Sequence, residues 1–223
     1  MPDDRFGAAP GAKPAAQIPV SANNPCPFLR ALVANGYVGG HVVPLSKLSE
    51  IVGDASGQTG FGEKKVRLAT WLVAVIANGL GPLRVLKSAT SGAVLDELRD
   101  GPLDKHGGGS RILDADAKVH EGEIARLAGF GKDRKDPSGG IERGLTAEEI
   151  DTFMKANLER DGDKARWYYP ILMKGEWPVL LKILGKGEGS ERYLSVAEVR
   201  TLFVEKRLPE RITARLPKPS AGR

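Results

Sequence analysis

One cysteine stands alone in the 223-residue sequence, between two prolines. Pro27 suits the first turn of a helix, because its missing N–H costs nothing there, and apolar residues then recur at helical spacing until Asn35 and Gly36. Cys26 is therefore predicted at the helix N-terminus, where unpaired N–H groups and the helix dipole lower a thiol pKa. A thiolate placed there is a soft metal ligand. The alternative is a small buried apolar residue, since free cysteine is commonly buried.

Two carboxylates separated by one residue form a second group with potential chemistry. They are Asp114 and Asp116, and they follow the segment Ser110-Arg111-Ile112-Leu113. Hard divalent cations prefer oxygen ligands, and two such carboxylates can converge on one ion from a turn or a helix start. Acidic residues also occur at helix starts without any metal, because they complement the helix dipole. The spacing leaves both interpretations open.

A third candidate is a carboxylate in apolar and aromatic surroundings. Glu176 lies between Met173 and Trp177 in the sequence, with Leu180 close behind. Burial against such residues raises the pKa of a carboxyl group towards neutrality, which suits general acid–base catalysis. The alternative is a glutamate on a helix face that points to water.

The cysteine segment resembles the opening of the family-2 haem-thiolate peroxidases, the chloroperoxidases and unspecific peroxygenases. The similarity consists of Pro25-Cys26-Pro27, an apolar residue two positions on, Ala31-Leu32, and the turn Asn35-Gly36-Tyr37. The resemblance implies haem b as cofactor, with Cys26 as the proximal iron ligand. It also implies hydrogen peroxide as oxidant and a small organic substrate or a halide as its target.

The stretch 103–119 is similar to the second motif of that family. The resemblance implies that Asp114 and Asp116 bind Mg²⁺ or Mn²⁺ against a haem propionate. Lys118 stands where the family has a serine oxygen. A lysine ammonium that neutralises the propionate in place of the cation is therefore an alternative.

The stretch 166–181 is similar to the family's aromatic-rich helix that carries the distal acid–base residue. The resemblance assigns that role to Glu176, which would take a proton from bound peroxide and return it to the departing oxygen. Arg166 lies upstream, but its offset leaves the partner of Glu176 open.

The apolar patterning predicts an all-α fold. The resemblance implies a single helical domain of the chloroperoxidase/peroxygenase type around a haem pocket. Its boundaries are 23–215, with a disordered arm at 1–22 and a disordered tail at 216–223. We find no stretch that alternates apolar and polar residues long enough for a strand, and 129–144 is predicted to be a surface loop. Thr146 and Glu149 have the spacing of a capping box at the start of a helix.

Composition narrows the classes of function. The net charge is +5, but acids and bases are interspersed and aromatic residues make up only 6% of the chain, which argues against nucleic-acid binding. A single cysteine excludes an internal disulfide. The sequence has neither a recognisable signal peptide nor an apolar run of about 20 residues, so it predicts a cytoplasmic protein without a membrane span. Oligomeric state stays open.

These observations predict a haem-thiolate peroxidase or peroxygenase that oxidises, halogenates or oxygenates small organic molecules. Thiolate ligation carries that prediction, because electron donation from sulfur favours cleavage of the O–O bond. Two alternatives remain. One is a non-catalytic member of the same fold that binds haem or a small apolar ligand, and the other is a helical interaction module without haem.

Overall fold

A computed structural model describes residues 17–77, 82–99, 101, 104, 109–162, 169, 178 and 180–219 of the chain. Its helices are α1 (Pro27–Ala34), α2 (Leu45–Ser56), α3 (Gly60–Ala77), α4 (Pro82–Ser91), α5 (Glu121–Phe130), α6 (Ala147–Asp161), α7 (Val196–Phe203) and α8 (Glu210–Thr213). Its strands are β1 (Val42–Val43), β2 (Ala93–Val94), β3 (Lys132–Lys135), β4 (Ile141–Thr146), β5 (Gly185–Lys186) and β6 (Tyr193–Ser195). Short 3₁₀ turns span Leu95–Glu97 and Gly189–Glu191.

The prediction of an all-α fold is wrong, because the described part of the chain contains two antiparallel sheets. A two-stranded sheet pairs β1 with β2, and a four-stranded sheet has the order β3-β4-β6-β5. Helices pack against this larger sheet, with α5, α6 and α7 all contacting β4. The fold is mixed α and β.

The β3–β4 hairpin occupies the stretch that was predicted to be a loop. Its strands carry charged residues where a half-buried strand would carry apolar ones, so a period of two is not visible in the sequence. Charged cross-strand pairs take their place: Asp133 lies opposite Arg143, and their side chains meet at 3.0 Å. A glycine is required at position 144, since a Cβ there would overlap the ring of Tyr193 on β6.

The core is built around α1, whose residues Ala31, Leu32 and Val33 are almost completely buried. The buried side of α2 packs nearby through Leu48 and Ile51. The same apolar cluster continues through α5, α6, α7 and α8. Within the described ranges, no helix is both long and apolar enough to cross a membrane.

The β1–β2 sheet returns the chain to the neighbourhood of α1. Val42 pairs with Val94, and the N–H of Leu95 donates to the carbonyl of His41 at 2.8 Å. Gly92, with φ +100°, allows this close approach, because a Cβ there would collide with the carbonyl oxygen of Val43. The ladder thereby brings the residues after β2 to the segment that precedes α1.

Candidate functional site

Cys26 lies at the N-cap of α1, and the predicted helix start at Pro27 is confirmed. Its backbone is extended (φ −82°, ψ 113°), and its carbonyl accepts the first helical hydrogen bond, from Arg30 N–H, at 3.0 Å. The side-chain Oδ1 of Asn24 accepts from the Cys26 N–H at 3.1 Å. The half-buried cysteine packs against the edge of the apolar core. Its position at the N-cap places it at the positive end of the α1 dipole.

Arg30 follows Cys26 by one helical turn and is 5% exposed. Its Nη1 donates to the carbonyls of Ser21 at 2.9 Å and Asn24 at 3.1 Å, which holds the turn before the cysteine. Burial lowers the pKa of Arg30, and the nearby Arg99 lowers it further, whereas Cys26 acts in the opposite direction. Among the described residues no carboxylate forms an ion pair with Arg30. A buried cation therefore lies close to the sulfur.

Arg99 connects the cysteine segment to the loop of the second motif. Its backbone N–H donates to the carbonyl of Asn23 at 2.9 Å. Its Nη2 donates to the carbonyls of Ala22 at 3.0 Å and Asp114 at 3.2 Å. Its Nη1 lies 3.5 Å from the carboxylate of Asp104. One guanidinium thus joins Ala22, in the cysteine segment, to Asp104 and to the carbonyl of Asp114.

Two buried donors in or against the segment before Cys26 have no hydrogen-bond partner among the described residues. They are Nδ2 of Asn24, in a residue 1% exposed, and Nε of Arg99, whose side chain is 11% exposed. Asn24 belongs to the segment 21–24, and Arg99 contacts Ala22 and Asn23 of the same segment. A buried donor without an acceptor is costly, so such groups mark places where a ligand or an ordered water completes the structure.

The loop 113–119 is closed by its own carboxylate. Oδ1 of Asp114 accepts from the backbone N–H groups of Asp116 at 2.9 Å and Lys118 at 2.8 Å, and Oδ2 lies 2.9 Å from His120 Nε2. The hydrogen bond from the Lys118 backbone, followed by that from His120, lowers the pKa of Asp114. Both carboxylate oxygens therefore already accept hydrogen bonds from the loop.

Among the described residues, no further side chains join the predicted cation ligands Asp114 and Asp116 in a larger ligand group. Asp116 and Lys118 are exposed, and within the described ranges no group of three or more His, Cys, Asp or Glu side chains could hold a metal ion. The metal-binding role of Asp114 and Asp116 stays a prediction. Glu176 and Arg166 lie outside the described residues, so the acid–base role of Glu176 also stays a prediction.

A second polar cluster lies on the four-stranded sheet. We call it the Lys186 network: Lys186, Asp136, Glu142, Tyr193, Ser195 and Glu198. The ammonium of Lys186 lies 2.7 Å from Asp136, 2.7 Å from Glu142 and 3.6 Å from Glu198. The hydroxyls of Tyr193 and Ser195 donate to Glu142 at 2.7 and 2.6 Å. Every charge in this network faces a partner, so the network is complete without a ligand.

Sequence reasoning missed Asn24, Arg30 and Arg99 as site residues. Arg30 carried a usable signal, because residues four apart on a helix share a face and Arg30 follows Cys26 by four. Arg99 carried none, since its contact with Asn23 depends on the β1–β2 ladder. Comparison with known proteins adds no assignment, because no protein-family model matches the sequence and no curated protein matches it either.

Proposed function

We propose that the chain is a haem-thiolate protein that uses hydrogen peroxide to oxidise, halogenate or oxygenate small organic molecules. The observation that carries this proposal is the position of Cys26, the N-cap of α1, at the edge of the apolar core. The motif resemblance around Pro25-Cys26-Pro27 identifies the ligand type. The corrected fold class removes the support that an all-helical architecture would have added.

The residues around Cys26 fit a thiolate ligand. The N-terminus of α1 and the guanidinium of Arg30 both stabilise negative charge on the sulfur. The hydrogen bond from Cys26 N–H to Asn24 fixes the backbone that carries it. The buried donors of Asn24 and Arg99 match the acidic side chains of a haem. Bound haem with a thiolate ligand supplies O–O bond cleavage.

The protein side chains supply the remaining tasks. Asn24 and Arg30 hold the segment before α1 in its turn, so the sulfur keeps one direction. The apolar side chains packed around Cys26 limit its access to water, which protects a thiolate ligand from displacement. Glu176 is our proposed acid–base residue, which moves the peroxide proton from one oxygen to the other.

The first experiment adds haemin to the purified protein, reduces it and records the carbon monoxide difference spectrum. We expect a strongly red-shifted Soret band that disappears in Cys26→Ser. His120→Ala is the matched control, since it removes another potential axial ligand and should leave the band unchanged. A band that persists in Cys26→Ser would contradict thiolate ligation.

Turnover with peroxide then separates the enzyme from the alternatives. Haem-loaded protein should oxidise phenols, halides or aromatic substrates, and Glu176→Gln should slow that reaction. A thiolate-ligated protein without turnover, and without any effect of Glu176→Gln, would be a non-catalytic haem binder. A chain that takes up no haem would be an interaction module.

A further inference from the structure

We propose that Asn24 and Arg99, with Arg30 behind them, bind a carboxylate of the porphyrin beside Cys26, so that guanidinium groups rather than a divalent cation neutralise it. This inference rests on the proposed function, because it assigns a partner to the acidic groups of the same cofactor. It gives the three residues a binding role that neither the resemblance nor the sequence pattern assigns to them.

The first support is the pair of unmatched donors. Asn24 is 1% exposed and already uses its Oδ1 as an acceptor for the Cys26 N–H. Its Nδ2 is left with no acceptor among the described residues, as is Nε of Arg99. Both groups can only donate, so the missing partner must be an acceptor. A carboxylate provides two acceptor oxygens and forms strong hydrogen bonds with a guanidinium.

The second support is the balance of charge. Arg30 and Arg99 are close enough for the charge of Arg99 to lower the pKa of Arg30. Asp104, 4% exposed, lies 3.5 Å from Arg99, and no described carboxylate pairs with Arg30. Buried charges are stable when paired. The two guanidiniums therefore share one described carboxylate, which leaves one positive charge without an anionic partner among the described residues.

The third support is the state of the predicted cation ligand. Asp114 accepts hydrogen bonds at both oxygens from its own loop, and Arg99 Nη2 holds the Asp114 carbonyl at 3.2 Å. A divalent cation at Asp114 would have to displace bonds that close the loop. The positive charge of Arg99 already lies next to that carbonyl. The guanidinium therefore supplies positive charge next to Asp114, the residue for which the resemblance implies a cation.

The test compares metal-free protoporphyrin IX with its dimethyl ester, titrated into the apoprotein and followed by porphyrin fluorescence. Neither probe contains iron, so the readout is independent of thiolate ligation and of turnover. We expect the free acid to bind about tenfold or more tightly than the ester, because a charge-assisted hydrogen bond is lost in the ester.

Asn24→Asp is the decisive variant. It keeps the Oδ acceptor for the Cys26 N–H, but it removes the Nδ2 donor and places a negative charge at the site. The preference for the free acid should fall about tenfold or more. Asn23→Asp is the matched control, since it adds the same charge one residue away at an exposed position and should keep the preference. Arg99→Lys keeps the charge without Nε and should lose part of the preference.

The outcomes separate this inference from the proposed function. Equal binding of acid and ester by the wild type would overturn the carboxylate site, even if haemin shows the thiolate spectrum. A preference that Asn24→Asp abolishes would support the site, even if haemin shows no thiolate ligation. Failure of both porphyrins to bind would overturn the inference. Unchanged circular dichroism in Asn24→Asp would show that the variant is folded.

Discussion

The Lys186 network and the first turn of α1 both bury a positive charge, but the two charges have different partners. Lys186 faces three carboxylates within 3.6 Å, and its side chain is 14% exposed. Arg30 is 5% exposed, and its described partners are the carbonyls of Ser21 and Asn24. The first cation is paired with charge, and the second is only solvated by backbone oxygens.

This difference separates a group that stabilises the fold from one that can bind. Hydrogen bonds and charges that are satisfied internally hold the sheet together and leave nothing for a ligand. Donors that remain unmatched, such as Nδ2 of Asn24, cost stability until a ligand arrives. The contrast predicts opposite responses to substitution in the two regions.

Removal of the central cation should produce the largest effect. Lys186→Met leaves Asp136 and Glu142 without their counter-charge, whereas Glu198 keeps Arg211 at 2.6 Å, so we expect the free energy of unfolding to fall by about 3 kcal/mol. Urea denaturation at neutral pH measures this. Lys155→Met is the control, since the exposed Lys155 pairs with Asp151 alone among the described residues and its loss should matter far less. Equal effects of the two variants would contradict the special role of Lys186.

The Lys186 network also makes the stability of the protein depend on pH. The hydrogen bond from Lys186 holds the pKa of Asp136 well below its ordinary range. A carboxylate with a depressed folded pKa stabilises the protein above its unfolded pKa of about 3.9, and this stability is lost as pH falls through the folded value. The wild type should therefore weaken below about pH 4. Lys186→Met should instead gain stability between neutral pH and about pH 4, because protonation relieves the repulsion.

A side chain that overpacks the four-stranded sheet should lower the free energy of unfolding by somewhat less than Lys186→Met does. A Cβ at position 144 would overlap the ring of Tyr193, which is 3% exposed, so Gly144→Ala should destabilise by about 2 kcal/mol. Gly140→Ala is the control, because nothing lies within 4 Å of a Cβ there. Thermal unfolding of the two variants would decide; a neutral Gly144→Ala would mean that the hairpin is not packed under Tyr193.

A substitution in the segment before α1 should raise the free energy of unfolding, whereas the substitutions in the sheet lower it. In the apoprotein, Asn24→Asp supplies an anion to Arg30 and Arg99, and we expect it to stabilise by about 1 kcal/mol. Asn23→Asp, at an exposed position, should change stability by less than about 0.5 kcal/mol. Urea denaturation of both apoproteins measures the difference. A loss of stability in Asn24→Asp would show that the guanidiniums do not lack an anion.

The smallest expected change in the free energy of unfolding comes from an exposed ion pair. Arg143 and Asp133 meet at 3.0 Å across the hairpin, with side chains 42% and 71% exposed. Arg143→Met should cost about 0.5 kcal/mol, and salt should reduce that cost. A larger loss would mean that the hydrogen bond from Arg143 to the Ala128 carbonyl matters more than the ion pair.

Local signals in the sequence were sufficient to predict where some helices begin. Pro27 and the apolar spacing predicted α1, and the capping box predicted the start of α6, where Thr146 N–H donates to Glu149 at 2.9 Å. Each of these depends on residues within a few positions of one another. Cys26 at its N-cap follows from the same local rules.

Features that depend on distant residues could not be predicted. The strands of the β3–β4 hairpin are stabilised by backbone pairing and by packing under Tyr193, some fifty positions along the chain, rather than by an apolar period. Arg99 reaches Ala22 across 77 positions. The hydrogen bonds by which Asp114 closes its own loop were not predicted either, and the cation-binding role of Asp114 and Asp116 stays a prediction.

The β1–β2 ladder also bears on how such a chain can change during evolution. It joins both ends of the stretch 44–92, so the separation of Cys26 and Arg99 does not depend on the length of that stretch. Loop-closure entropy grows only slowly with length. Insertions or deletions in the exposed turn between α2 and α3, at 57–59, can therefore accumulate while the donors beside the cysteine keep their places.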